Sequence, residues 1–283
     1  MKPTFILGLG AQKAGTTWLH SVLQSQASCN FGFAKEYHVW DAKFSPLGAK
    51  FVAPLPNPDK PRAAMRRLMQ QNESIYASYF KSLISDDVSI TGDITPSYSY
   101  LDSASLIQIR KCIDDAGFDI KVVFLMRDPV ERLWSAARMQ ERDQAKKGKK
   151  VRKNYAIKRV RHFLETEQQV SRSNYRATIE NIERVFPTEE VHFAFYEQLF
   201  NESELSKLGE FFGIEFRNVN FQKRVNASPS KTIPAKLEER MIEKLADQYQ
   251  YCNNKFPITK EIWRPMTELS INENSIEAEP TSL

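Results

Sequence analysis

Residues 6–23, ILGLGAQKAGTTWLHSVL, place a lysine, a glycine and two threonines between a short apolar run and an amphipathic helix. A loop of this kind offers successive backbone N–H groups at a helix N-terminus, where the helix dipole favours negative charge. Lys13 adds a mobile ammonium, and Thr16 and Thr17 add hydroxyl donors. The lysine stands two residues before Gly15, whereas the GxxxxGK[ST] pattern puts it directly after the glycine. No hydroxyl is then placed for magnesium, and the spacing predicts an anion neutralised without a metal. The plain alternative is a tight turn whose threonines cap the helix.

Two further clusters have chemistry in their spacing. In RDPVERLWS (127–135), Arg127 leaves an apolar run, where a charge is costly unless it meets an anion. Ser135 follows about two turns along a helix that starts near Pro129, so a guanidinium and a hydroxyl can grip one phosphate from two sides. Taken alone, Arg127 and Asp128 also fit a local ion pair or a helix cap. In KEYHVWD (35–41), Lys35, Glu36, His38 and Asp41 sit within one short stretch. A carboxylate beside a lysine and a histidine suits proton abstraction with a cation close by. Alone, this stretch also reads as an ordinary charged loop.

The elements that must position these clusters alternate in type. Apolar runs at 4–10, 119–129 and 191–199 read as strands, 89–100 reads as a short strand breaking into a Pro-containing loop, and helical periodicity appears at 16–26, 62–71, 74–84, 106–117, 130–144, 173–187 and 205–214. This alternation predicts an α/β fold, a three-layer α/β/α arrangement around a central parallel sheet. Ligands in such sheets sit at the carboxyl ends of the strands. Residues 10–17, 93–98 and 127–135 all follow strand ends. The five prolines between residues 44 and 61 predict an extended excursion. Segment 145–161 reads as a basic, mobile insertion within one domain covering 1–265, and 266–283 as an acidic, disordered tail.

Composition bounds the rest. The 283 residues carry a net charge of +5, compatible with an anionic ligand but too small to argue for nucleic acid. Cys29, Cys112 and Cys252 are far apart and read as reduced thiols. Apolar runs are too short to span a bilayer, and the first strand begins within a few residues of Met1, which predicts a cytoplasmic protein without a signal peptide.

Taken in order, strand–QKAGTTWL–helix, KExH and strand–RDPxxRxWS resemble the sulfotransferase family over residues 5–239. Those enzymes use 3′-phosphoadenosine 5′-phosphosulfate and release adenosine 3′,5′-bisphosphate, with no metal required. The match is closest in style to the branch acting on heparan sulfate and other glycans, whose KExHxxD signature fits Lys35, Glu36, His38 and Asp41. The resemblance implies that Lys13, Ala14, Gly15, Thr16, Thr17 and Trp18 form a P-loop-like 5′-phosphosulfate loop. It implies Arg127 and Ser135 on the 3′-phosphate and Tyr196 on the adenine. Arg224, Asn226 and Ser228 would belong to a late loop that closes over the donor.

For catalysis the resemblance implies Glu36 as general base and Lys13 as the cation on the leaving oxygen. His38 either assists Glu36 or is itself the base, as in other branches of the family. Lys35, Asp41, Asp93, Thr95, Ser97 and Tyr98 would line the acceptor side, although Ile94 stands where glycan enzymes commonly carry a lysine. The acceptor hydroxyl or amine belongs to a saccharide, a lipid headgroup or a small alcohol. A P-loop nucleotide kinase and a non-catalytic adenine-nucleotide-binding module remain the alternatives. The oligomeric state is left open.

Overall fold

The computed structural model describes residues 2–55, 57, 59–166, 171–221 and 232–264. In chain order, β1 (Thr4–Gly8) leads into α1 (Thr16–Gln24), α2 (Trp40–Phe44), α3 (Pro61–Gln71) and α4 (Glu73–Ser82). Then come β2 (Ile90–Ile94), α5 (Ser103–Asp115), β3 (Asp119–Met126), α6 (Pro129–Lys146), α7 (Tyr155–Glu165) and α8 (Tyr175–Val185). The chain continues through β4 (Val191–Phe195), α9 (Glu202–Phe212), α10 (Ala235–Lys255) and α11 (Thr259–Ile262).

The four strands form one parallel sheet in the order β2-β1-β3-β4. Every residue of β2, and all but the first of β1, is buried, so both faces of the sheet are covered by helices. This is the predicted α/β arrangement. After β1 the chain turns towards β2, and after β3 it turns towards β4. The carboxyl ends of β1 and β3 therefore flank the topological switch point, where open parallel sheets bind ligands. The 9–15 loop and the start of α6 both open there.

Local sequence explains how α6 and α1 begin. Asp128 caps α6 by accepting from the Glu131 N–H at 2.8 Å, and Pro129 occupies the first turn, where its missing N–H costs nothing. At α1 the N-cap is Gly15, with φ 97° and no side-chain cap. A Cβ there would lie 2.5 Å from Leu199 Cδ2, so only glycine lets the loop turn so close to the segment after β4.

The basic segment 145–161 is not a single insertion. Its first residues finish α6 and its last belong to α7, whose Ala156, Val160, Phe163 and Leu164 are buried in the core. Amphipathic spacing in α7 draws that part into the fold and leaves 147–154 as the connection. The acidic segment 266–283 and the late-loop residues Arg224, Asn226 and Ser228 lie outside the described residues. The three cysteines are unpaired. Among the described residues no helix is long and apolar enough to cross a membrane.

Candidate active site

The loop after β1 is stitched to β3. Ala11 N–H donates to Leu125 O at 2.6 Å, and Leu125 N–H donates to Gly10 O at 2.8 Å. Within the loop Ala14 N–H is spent on Ala11 O, and Trp18 N–H on Gly15 O. The backbone N–H groups of Lys13, Gly15, Thr16 and Thr17 have no partner among the described residues. The threonines therefore do not cap α1. The open N–H groups form the nest that an anion requires. The Trp18 indole is buried, edge-on to Phe200 at 5.2 Å and stacked on Phe221 at 6.3 Å, so it braces the loop from the core side and does not face an anion.

Cations converge on this nest. Burial pushes the Lys13 ammonium down to about 8, and the Arg142 and Arg127 charges push in the same direction, against a smaller pull from Asp143. Arg127 emerges at the end of β3 with Nη1 3.4 Å from Lys13 O and Nη2 3.1 Å from Glu131 Oε2. Its guanidinium lies 4.3 Å from the centre of the Tyr196 ring. Its Nε is buried with no partner among the described residues. Ser135 projects from α6 at the spacing shared by Arg138 and Arg142, three and seven residues on.

The 35–41 stretch is wired differently. Lys35 Nζ pairs with Glu36 Oε1 at 2.5 Å, and His38 bridges two carboxylates, with Nε2 3.3 Å from Glu36 and Nδ1 2.7 Å from Asp41. Ser97 donates to Asp41 Oδ2 at 2.5 Å and lies 3.2 Å from His38 Nδ1. The His38 ring stacks on Phe51 at 3.7 Å. Burial works against ionised Glu36, but the hydrogen bonds from His38 and Lys35 overcome it and bring its carboxyl to about 2. Burial likewise opposes the imidazolium, and the bonds to Asp41 and Glu36 outweigh it, so the His38 pKa is raised. Four non-glycine residues among the described ones have positive φ: two asparagines, which tolerate it, together with Lys13 (φ 74°) and His38 (φ 53°). Strained backbone thus falls on both candidate catalytic clusters.

Several residues assigned to the acceptor side also have partners within the protein. Asp93, Thr95 and Asp41 are fully buried, and Tyr98 is nearly so. Asp93 accepts from Thr95 Oγ1 at 2.6 Å, Tyr98 Oη at 2.7 Å and Tyr76 Oη at 3.2 Å. Thr95 Oγ1 and Tyr98 Oη then accept from the backbone N–H groups of Tyr37 and Val39, at 3.0 and 3.1 Å. These groups spend polar atoms on protein partners, and in doing so they position the 35–41 stretch against β2. Asp41 in turn orients His38.

Comparison with known proteins gives the same reading of the frame. A model of the sulfotransferase family matches residues 3–218. This chain belongs to the sulfotransferase family. Its structure is similar to that of a sulfotransferase from Alicyclobacillus acidocaldarius, with a TM-score of 0.63 at 16% identity over 91% of this chain and 97% of that one. A sulfotransferase domain of the Synechococcus PCC 7002 olefin synthase matches over 88% of this chain and 94% of its own, at 18% identity and a TM-score of 0.48. A search of curated proteins finds no match.

Residues that the sequence motifs do not mark also stand around the candidate site. Arg142 is the leading charge acting on Lys13, and its Nη1 is buried without a partner among the described residues. Its helical spacing from Ser135 was the one available signal. Arg264 bonds Asp128 at 2.9 and 3.2 Å and Glu131 at 2.7 Å, which holds Glu131 beside Arg127. His20 is pushed down to about 4 by burial and the Lys35 charge, which leaves a neutral imidazole in the field of Glu36.

Proposed function

We propose that this sulfotransferase moves a sulfuryl group from 3′-phosphoadenosine 5′-phosphosulfate to a hydroxyl or amine of a small-molecule, saccharide or lipid acceptor, with Glu36 as general base. The observation that carries this reading is the convergence of Lys13, Arg127 and Arg142 on uncapped backbone N–H groups at the switch point. Positive charge of that density, including buried guanidinium nitrogens with no partner among the described residues, fits a ligand with separated anionic groups.

The donor supplies an activated sulfuryl group and departs as adenosine 3′,5′-bisphosphate. Lys13 and the N–H groups of residues 15–17 neutralise charge on the departing 5′-phosphate oxygen. Arg127, Ser135 and Arg142 hold the second phosphate, and the Tyr196 ring, stacked on Arg127, offers a surface for the base. As in phosphoryl transfer, most of the work is alignment and charge stabilisation. At the acceptor, Glu36 takes the proton as the new bond to sulfur forms. A carboxylate held near 2 is a weak base while Lys35 and His38 both grip it. Lys35, whose charge also reaches Lys13, moves onto the sulfuryl oxygens when the donor is present and releases that grip. His38, favoured as imidazolium between two carboxylates, is the poorer proton acceptor and acts by orienting Glu36.

The test is thermal denaturation with adenosine 3′,5′-bisphosphate beside AMP, ADP and ATP, with and without magnesium. A ligand at a hundred times its Kd adds about 2.7 kcal/mol of stability. Selective stabilisation by the bisphosphate without metal is expected. Stabilisation by ATP only with magnesium would overturn the reading in favour of a kinase.

A further inference from the structure

A second cationic cluster lies beside the His38 side of the site. Arg172 is only 8% exposed, and its Nη1 donates to Gln12 Oε1 at 2.8 Å, one residue before Lys13. Its guanidinium lies 5.9 Å from the centre of the Tyr100 ring. Arg172 Nε and the Tyr100 hydroxyl are both buried without a well-formed hydrogen bond among the described residues, although the hydroxyl lies close enough to Arg172 and Ser97 to feel both. Tyr100 ends the 3-10 turn Pro96–Tyr100 that also holds Ser97, the partner of Asp41 and His38. Lys50 approaches from the exposed side, its ammonium 5.0 Å from the centre of the Phe51 ring that stacks on His38. Burial and the Arg172 charge both lower the Lys50 pKa, so the two cations feel one another. Among the described residues neither forms an ion pair.

A nine-tenths buried arginine with no carboxylate is costly unless an anion completes it. The donor's phosphates already have Lys13, Arg127 and Arg142. We propose that Arg172, Lys50 and the Tyr100 hydroxyl form an anion subsite for the acceptor, so that the preferred substrate is an alcohol or amine carrying a carboxylate, phosphate or sulfate group near the reacting atom. Tied through Gln12 to the Lys13 loop and through Tyr100 to the Ser97 turn, the subsite fixes the distance from the acceptor's charge to Glu36. The inference rests on the sulfuryl-transfer reading above and specifies its substrate class.

The experiment uses the full chain saturated with adenosine 3′,5′-bisphosphate. Inorganic phosphate and acetate are titrated separately against chloride at matched ionic strength, and affinity is read from the further rise in melting temperature. A saturable effect of at least one probe is expected, and which probe saturates distinguishes a phospho or sulfo group from a carboxylate. Arg172→Gln should weaken that probe by roughly tenfold or more, the scale of a lost charged hydrogen bond. Lys50→Met, at an exposed position, should weaken it about two- to fivefold. Both variants should keep the stabilisation by bisphosphate. No saturable effect beyond chloride, or an affinity unchanged by Lys50→Met and by any folded Arg172→Gln, overturns the inference while leaving the donor reading intact. Failure of the bisphosphate itself to bind takes down both.

Discussion

The nest around Lys13 and the 35–41 stretch are both rich in charge, yet they are built in opposite ways. Around the nest, Lys13, Arg127 and Arg142 repel one another, and buried guanidinium nitrogens have no partner among the described residues. In the 35–41 stretch every charge is answered: Lys35 by Glu36, and His38 by Glu36 on one side and Asp41 on the other. The first arrangement is incomplete without an anion. The second is complete as it stands and can only exchange partners or protons. On the proposed function, binding and proton transfer are thus separated into neighbouring clusters, with the Lys35 charge felt by both.

The sharpest way to break that separation is Glu36→Gln. Transfer should fall by about 10²–10⁴ while bisphosphate binding stays unchanged, because the amide cannot take the acceptor proton. Activity with labelled donor and a separate binding titration read the two halves. Equal loss of both would show that the clusters are not separable.

Lys13→Ala should cost about 10²–10³ in transfer, the usual effect of removing one charge-stabilising donor. The same lysine sharpens the contrast through pH. Its ammonium sits near 8 in the free protein, and an anion placed beside it raises that value. Bisphosphate should therefore bind tightest below pH 8, take up a proton on binding above it, and weaken as pH climbs. Calorimetry in buffers of different ionisation enthalpy measures the uptake, which Lys13→Ala should abolish.

Arg142→Ala should weaken bisphosphate about tenfold, one lost charged contact, with little effect on turnover at saturation. The smallest effect concerns the scaffold under the second cluster. Burial raises Asp93 to about 6, against partial offset by Thr95 and Tyr98, while the unfolded chain titrates near an ordinary carboxyl value. A raised folded value contributes stability that is complete below pH ~4 and lost as pH rises through about 6. The melting-temperature difference between wild type and Asp93→Asn should shrink across that window and level off above it.

Local pattern made part of this visible in the sequence. The QKAGTT loop, the strand ahead of Arg127 and the KExH stretch are contiguous, and alternation of strand with helix dictated the parallel sheet. The support that Asp93, Thr95 and Tyr98 give to the 35–41 stretch was not legible, because a motif gives a residue's position in the chain and says nothing of which way the fold turns its side chain. Arg172 and Arg264 were not legible, and Arg142 only through its spacing from Ser135, because each acts through partners distant in sequence: Gln12, Asp128 and Lys13. The helix α10 carries a regular apolar stripe, Leu237, Met241, Leu245, Tyr249 and Cys252 with Ile242 and Tyr251 beside it, so its helical period is legible although no site motif lies on it.

The bonds of Arg264 bear on where this enzyme can be cut. The family match ends at residue 218, but Arg264 reaches back to Asp128, Glu131 and Glu238, and Trp263 donates to Glu197 at 3.1 Å. Glu131 is the carboxylate that steadies Arg127. A shortened fragment ending at residue 218 would keep the QKAGTT, KExH and RDP motifs and still lose the far end of the brace that holds Glu131 against Arg127.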